Sequence, residues 1–258
     1  MKQLDSLNNV QKEAVINTDG PMLILAGAGS GKTKVLTTKI AYLIEEKGID
    51  PTNILAITFT NKAANELKDR LTAMLGPEAQ DVWAMTFHAA CCRILRRDIE
   101  RLGYSSGFTI YDASDSERML KEIIKDMGLD DKSFPAKYVL NIISRQKDNM
   151  IGPDEMREQL EIAENYGMMH IAKAYKIYQT RLKENNALDF DDIIFKTVEL
   201  LQNFEDVRLY YQRRFRYVLV DEYQDTNHLQ YLLTSLLAGG YENICVVGDD
   251  DQSIYRFR

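Results

Sequence analysis

Met22-Leu23-Ile24-Leu25-Ala26-Gly27-Ala28-Gly29-Ser30-Gly31-Lys32-Thr33-Lys34-Val35-Leu36 is the stretch on which the fold turns. Apolar residues run straight into a glycine-rich turn, and a stretch of helical periodicity follows. Strand, tight turn and helix N-terminus in that order make a phosphate cradle: glycines let successive backbone N–H groups converge, and the helix end adds partial positive charge. Ala26, Gly27, Ala28, Gly29, Ser30, Gly31, Lys32 and Thr33 form the loop. Lys32 is placed to reach the β- and γ-phosphates of a nucleotide, and Thr33 to hold Mg²⁺ through its hydroxyl. The pattern G-x-x-x-x-G-K-[ST] is met everywhere except its first position, where Ala26 stands in place of Gly.

Outward from this loop, short apolar runs alternate with longer helical stretches, the signature of a parallel sheet with crossover helices. Strands are expected over Met22–Ala26, Ile54–Phe59, Val82–Thr86, Tyr217–Asp221 and Ile244–Gly248. Each delivers its C-terminal end to a polar or glycine-containing turn, where open α/β sheets bind ligands. Tyr217-Val218-Leu219-Val220-Asp221-Glu222 adds the chemistry that the loop lacks: an apolar strand ending in two carboxylates. Asp221 is placed to coordinate Mg²⁺ and Glu222 to act as general base on water. Between about Tyr104 and Leu188 helices dominate, so a helical subdomain is expected within the α/β core. Pro135 and Gly152-Pro153 mark turns between its helices.

The chain's 258 residues match one large domain or two modest ones. Hydrophobic residues at 45% and charged residues at 28% are the mix of a globular protein, which excludes disorder and fibrous repeats. No apolar run approaches the ~20 residues of a bilayer span and the N-terminus lacks a signal-peptide layout, so a cytoplasmic protein without membrane contact is expected. Cys91, Cys92 and Cys245 form neither a disulfide framework nor a zinc spacing. The net charge of −7 lacks the basic signature of a protein that wraps duplex DNA.

Two further runs are more specific: Val220-Asp221-Glu222-Tyr223-Gln224-Asp225-Thr226, and Val247-Gly248-Asp249-Asp250-Asp251-Gln252-Ser253-Ile254-Tyr255-Arg256-Phe257-Arg258. Here the chain resembles the UvrD/Rep/PcrA-type superfamily 1 DNA helicases. The resemblance covers the whole chain in the family's order. Asn8-Asn9-Val10-Gln11 looks like the adenine-reading Gln motif, the phosphate loop like motif I, and Ile57 to Ala64 like motif Ia. Thr86-Phe87-His88 looks like motif Ib, and Leu188-Asp189-Phe190-Asp191-Asp192 like the motif preceding the acidic strand. The resemblance implies a RecA-like P-loop NTPase core with a parallel sheet. It divides the chain into a first core part at 1–103, an inserted helical subdomain at 104–188 and a second core part at 189–258.

Carried over residue by residue, the resemblance implies an ATP-dependent 3′-5′ DNA helicase working in repair or replication, with ATP and Mg²⁺ as cofactors. Gln11 would meet the adenine edge, a role suited to an amide with one acceptor and one NH₂ donor, although alone it reads as an exposed helix residue. Lys34 lies on the adenine side where relatives often carry Arg. Gln252 would contact the γ-phosphate, beside Lys32 and Glu222 as catalytic groups. Phe59, Tyr255 and Phe257 would stack on bases of single-stranded DNA, a contact open to every base because each has a π-face. Phe59 alone reads as a core residue at a strand end, but the polar Thr58, Thr60, Asn61 and Lys62 around it suit phosphate contacts. His88 reads as a capping or core histidine on its own, and as a DNA-backbone contact by resemblance. Arg93, Arg96, Arg97 and Arg101 recur at helical spacing and fit a solvated helix face as well as a basic patch.

By the resemblance, everything after motif III, including the second RecA-like core, is expected to lie beyond this stretch. The expectation is an N-terminal fragment, its missing C-terminal half being a partner along with single-stranded DNA and single-strand/duplex junctions. The inserted subdomain would approach the duplex. Two alternatives share these motifs: a helicase subunit of a helicase-nuclease complex, and a truncated module that binds nucleotide or DNA without catalysis.

Overall fold

The computed structural model describes residues 2–27 and 29–249. The chain runs α1 (Asn9–Ile16), β1 (Met22–Leu25), α2 (Lys32–Glu45), β2 (Ile54–Thr58), α3 (Asn61–Leu75), β3 (Trp83–Thr86) and α4 (Phe87–Asp98). It continues through β4 (Thr109–Ile110), α5 (Ala113–Asp126), α6 (Ala136–Asp148), α7 (Pro153–Ile162), α8 (Met169–Glu184) and β5 (Ala187–Leu188). The last elements are α9 (Phe190–Asn203), α10 (Glu205–Arg214), β6 (Tyr217–Val220), α11 (His228–Ala238) and β7 (Ile244–Gly248). Residue contacts group them into two units: one of 1–90, 204–226 and 230 onward, the other of 91–203 with 227–229.

The first unit is α/β. Its five strands are all parallel, in the order β1-β7-β6-β2-β3. All five expected strands are present, with ends within one residue of expectation. They were legible because β2 and β6 are buried along their whole length, as central strands of a parallel sheet are, and such strands read as unbroken apolar runs. Leu36, Ile40 and Leu43 of α2 and Leu67 and Leu71 of α3 pack on Ile54, Ala56, Leu219 and Val247 of the sheet. Each buried Leu, Ile or Val among them contributes about 1.5–3 kcal/mol. The strand order brings the C-terminal ends of β1, β7 and β6 side by side, and those of β2 and β3 next to them.

The second unit is helical. Met119, Leu120, Ile123 and Ile124 of α5, Val139 and Ile143 of α6, and Tyr175, Tyr178 and Leu182 of α8 share one core. Pro135 caps α6, and Gly152 caps α7 with Pro153 in its first turn, so the punctuation marks inter-helix turns as expected. At the two ends of the helical run β4 pairs with β5 in parallel, Thr109 opposite Ala187 and Ile110 opposite Leu188. Two residues per strand are too few to leave a periodic trace in sequence. Among the described residues no helix is long and apolar enough to cross a membrane.

Under this core lies a buried charge set. Lys147, with no exposed surface, sits 2.6 Å from Asp189 Oδ2 and 2.9 Å from Asp192 Oδ1. The Tyr178 hydroxyl donates to Asp189 Oδ2 (3.0 Å). Burial alone would lower the Lys147 pKa, but the two carboxylates outweigh it and hold it well above its usual value. The carboxylates from the Leu188-to-Asp192 run are thus a packing device of α6, α8 and the start of α9.

Candidate functional site

The glycine-rich loop follows β1. The Ala26 N–H donates to Gly248 O (3.0 Å), carrying the β1–β7 pairing one step further, and the Ser30 N–H closes a turn onto Gly27 O (3.3 Å). Gly29 and Gly31 have φ of +74° and +88°, the left-handed region that side chains disfavour. Gly31 caps α2. A Cβ there would meet Gln11 Nε2 at 3.1 Å, so the glycine also makes room for a neighbour. Lys32 and Thr33 then open α2, whose first-turn N–H groups and dipole favour an anion.

Lys32, Asp221, Glu222 and Asp249 converge at the ends of β1, β6 and β7. Lys32 Nζ lies 3.0 Å from Asp249 Oδ2 and 3.9 Å from Glu222 Oε2. Asp249 is 1% exposed, whereas the Glu222 side chain is 44% exposed and open to solvent. Asp221 is buried. Its Oδ1 accepts from the Glu222 N–H (3.0 Å), and burial, with the Glu222 charge adding to it, pushes its carboxyl above the usual range. A buried carboxylate held above its ordinary pKa suits a site that takes up a cation, because a cation restores the ionised form. Asp221 and the Thr33 hydroxyl are hard oxygen donors of the kind Mg²⁺ takes. Among the described residues no preformed cluster of three or more metal-ligating side chains is present.

Glu222 adopts φ +51°, ψ +42°, a left-handed conformation that is uncommon outside glycine and asparagine. Gln224 holds it there: its Nε2 donates to Glu222 Oε2 (2.7 Å), and its Oε1 accepts from the Asp249 N–H (3.0 Å). One amide thus ties the turn after β6 to the turn after β7. The roles assigned by sequence left out Gln224 and Asp249. The two residues lie 25 positions apart in the chain, and only the adjacency of β6 and β7 brings them together.

On the other flank, α1 carries Gln11. Its Nε2 donates to Ser30 O (2.8 Å) and its Oε1 accepts from the Asn8 N–H (3.1 Å) in a capping box. Both ends of the amide are therefore engaged, and a base approaching Gln11 must exchange these bonds for its own. Lys34 Nζ donates to Ser6 O (2.7 Å), which ties α2 to the segment before α1.

The ends of β2 and β3 carry a second group. Phe59 is half-buried and meets Phe87 edge to face, ring centroids 5.4 Å apart. Exposed Thr60 caps α3, its hydroxyl accepting from the Ala63 N–H (3.1 Å), and exposed Asn61 opens that helix. His88 is the second residue of α4, where burial lowers its pKa to about 4, so the ring is neutral near pH 7. It is a hydrogen-bonding group and not a cation. Arg96 donates to Ser106 O (2.6 Å) and Phe108 O (2.8 Å), and its guanidinium stacks 3.7 Å above the Phe108 ring. That arginine is committed to packing within the helical unit. Ala28, Gln252, Tyr255 and Phe257 lie outside the described residues.

Residues 7–258 match a family model described as the UvrD/REP helicase N-terminal domain. The chain is similar to ATP-dependent DNA helicase PcrA of Bacillus subtilis (strain 168), 51% identical over 255 residues, covering 99% of this chain and 34% of the relative. PcrA of Staphylococcus epidermidis (strain ATCC 12228) is 48% identical over 253 residues, covering 98% and 34%. PcrA of Staphylococcus aureus (strain NCTC 8325) is 48% identical over 255 residues, covering 99% and 34%. The chain spans about a third of the length of the curated relatives it matches.

Proposed function

Because this chain belongs to the UvrD/REP helicase N-terminal domain family, we propose that it is the ATP-binding N-terminal part of a 3′-5′ DNA helicase acting in repair or replication. The observation that carries this reading is the meeting of Lys32 with Asp249 and Glu222 at the ends of three adjacent strands, directly beside the glycine loop. A triphosphate lying along the loop takes its hydrogen bonds from backbone N–H groups and draws Lys32 away from Asp249. Thr33 and Asp221 would hold Mg²⁺, which would supply charge to offset the phosphate oxygens.

Glu222 is the open carboxylate of the set. It accepts a proton from the attacking water while Gln224 fixes the orientation of its Oε2. Gln11 reads the adenine edge, and Lys34 lies on the same flank. Gln252 is assigned to the γ-phosphate. DNA binds along the β2 and β3 ends: Phe59 stacks on a base, Thr60, Asn61 and the α3 N-terminus face the backbone, and His88 donates from its neutral ring. Tyr255 and Phe257 are assigned to stacking on further bases. The part at 104–188 serves the duplex side of a single-strand/duplex junction, and the cytoplasm is the compartment.

Lys32→Ala is expected to abolish Mg-ATP binding by titration calorimetry, and an unchanged affinity would refute the phosphate-loop assignment. Glu222→Gln in the full-length protein is expected to keep ATP binding while turnover falls by about a hundred-fold or more. Normal turnover in that variant removes Glu222 as the base.

A further inference from the structure

Lys39 is a lysine 2% exposed, on α2 two turns beyond Lys32. Its ammonium donates to Ala14 O (2.9 Å) and to Asn17 O, and lies 3.6 Å from Met22 Sδ. Burial lowers its pKa, while Cys245 and Asp19 pull the other way. Burying an ammonium is costly unless its donors are satisfied, and here backbone carbonyls satisfy it. Ala14 lies in the last turn of α1, where carbonyls have no partner within the helix, so a cation meets both the orphan oxygen and the negative helix end.

The helix anchored in this way needs anchoring. α1 is eight residues long, and Val15 is its only buried residue. A helix that short, docked by a single apolar side chain, has little to hold it. Gln11 and Ala14 are three positions apart and so share one face of α1. Gln11 touches the phosphate loop at Ser30 O, and Ala14 touches Lys39. α2 therefore grips α1 at the turn next to Gln11, from the same helix that begins with Lys32 and Thr33.

We propose that Lys39 is a positioning residue for adenine recognition: by clamping the C-terminal end of α1 to α2 it fixes Gln11 beside the phosphate loop. The proposal rests on the reading of Gln11 as the adenine contact. Lys39 touches neither phosphate nor base, so its loss should be felt in the base and not in the phosphates.

The test is equilibrium binding of Mg-ATP and of Mg-tripolyphosphate, which lacks the base, to the full chain. Lys39→Met is expected to weaken ATP binding about ten-fold while tripolyphosphate changes less than about two-fold. Lys39→Arg, which keeps charge and donors, is expected to restore ATP binding. Thermal melts check folding, and if Lys39→Met does not fold, Lys39→Gln takes its place in the same comparison. Equal losses for both ligands, or no loss for either, overturn the proposal. Gln11→Ala separates the two ideas: if it narrows the gap between ATP and tripolyphosphate and Lys39→Met does not, only the assignment of Lys39 fails. If Gln11→Ala leaves that gap intact, the Gln11 reading fails and takes the proposal with it.

Discussion

Gln224 connects two carboxylate-bearing turns through a single amide, holding Glu222 with one end and the Asp249 backbone with the other. Gln224→Leu keeps the bulk and removes both bonds. In the full-length protein it is expected to lower kcat at least about ten-fold with KM nearly unchanged, because Glu222 loses its orientation and the phosphate loop does not. Steady-state kinetics decide it, and a rise in KM alone would contradict it. His88 gives a pH prediction. Its folded pKa of about 4 lies below the ordinary 6.5, so between those values the unfolded chain binds a proton that the folded chain does not. The stability tied to neutral His88 is fully present above pH 6.5 and is lost as pH falls toward 4. Urea denaturation at both ends of that window should show a smaller acid loss for His88→Gln, and equal losses would contradict the assignment.

At the scale of elements, the buried set that joins α6, α8 and α9 sets the strongest stability prediction. Lys147→Met leaves Asp189 and Asp192 buried without their ammonium and is expected to cost about 3–5 kcal/mol in denaturant unfolding. Adding Asp189→Asn and Asp192→Asn to that variant should recover much of the loss, because no net charge then remains buried. The same elements mark how far the sequence was legible. The five core strands announced themselves because each is a run of apolar residues ending at a polar turn. Asp189 and Asp192 could be quoted from sequence as a recurring run, but their partner Lys147 lies about 40 positions upstream on another helix. Lys39 was hidden for the same reason, since nothing in a helix of ordinary periodicity says that one of its lysines points inward. Gln11, by contrast, was singled out by the short run around it, yet the capping box and the Ser30 bond that occupy its amide emerge only once α1 is docked.

At the scale of the molecule, one parallel sheet supports both flanks of the proposed site. Hydrogen exchange should show this as two separable footprints. Mg-ATP is expected to slow exchange at residues 27–33, 221–225 and 248–249 together, and single-stranded DNA to slow it at 59–61 and 86–89. Protection by ATP confined to the loop, with none at 221–225, would break the link between the acidic turn and the nucleotide. The overall charge of −7 fits the proposed strand site, because stacking and a few local donors are enough to hold a single strand without a basic belt.

The order β1-β7-β6-β2-β3 carries a practical corollary. Three inter-strand steps separate the glycine loop after β1 from Phe59 after β2, which at the usual spacing is about 14 Å. The Asp221 N–H bonds Ile57 O across the last of those steps, from β6 to β2, at 3.0 Å, so the ruler is backbone and does not stretch. A single compound carrying a polyphosphate mimic at one end and a flat aromatic at the other, with a linker of that reach, could occupy both flanks at once. Its second contact would come at the effective concentration of a tethered group, so two weak heads would add up to one tight inhibitor.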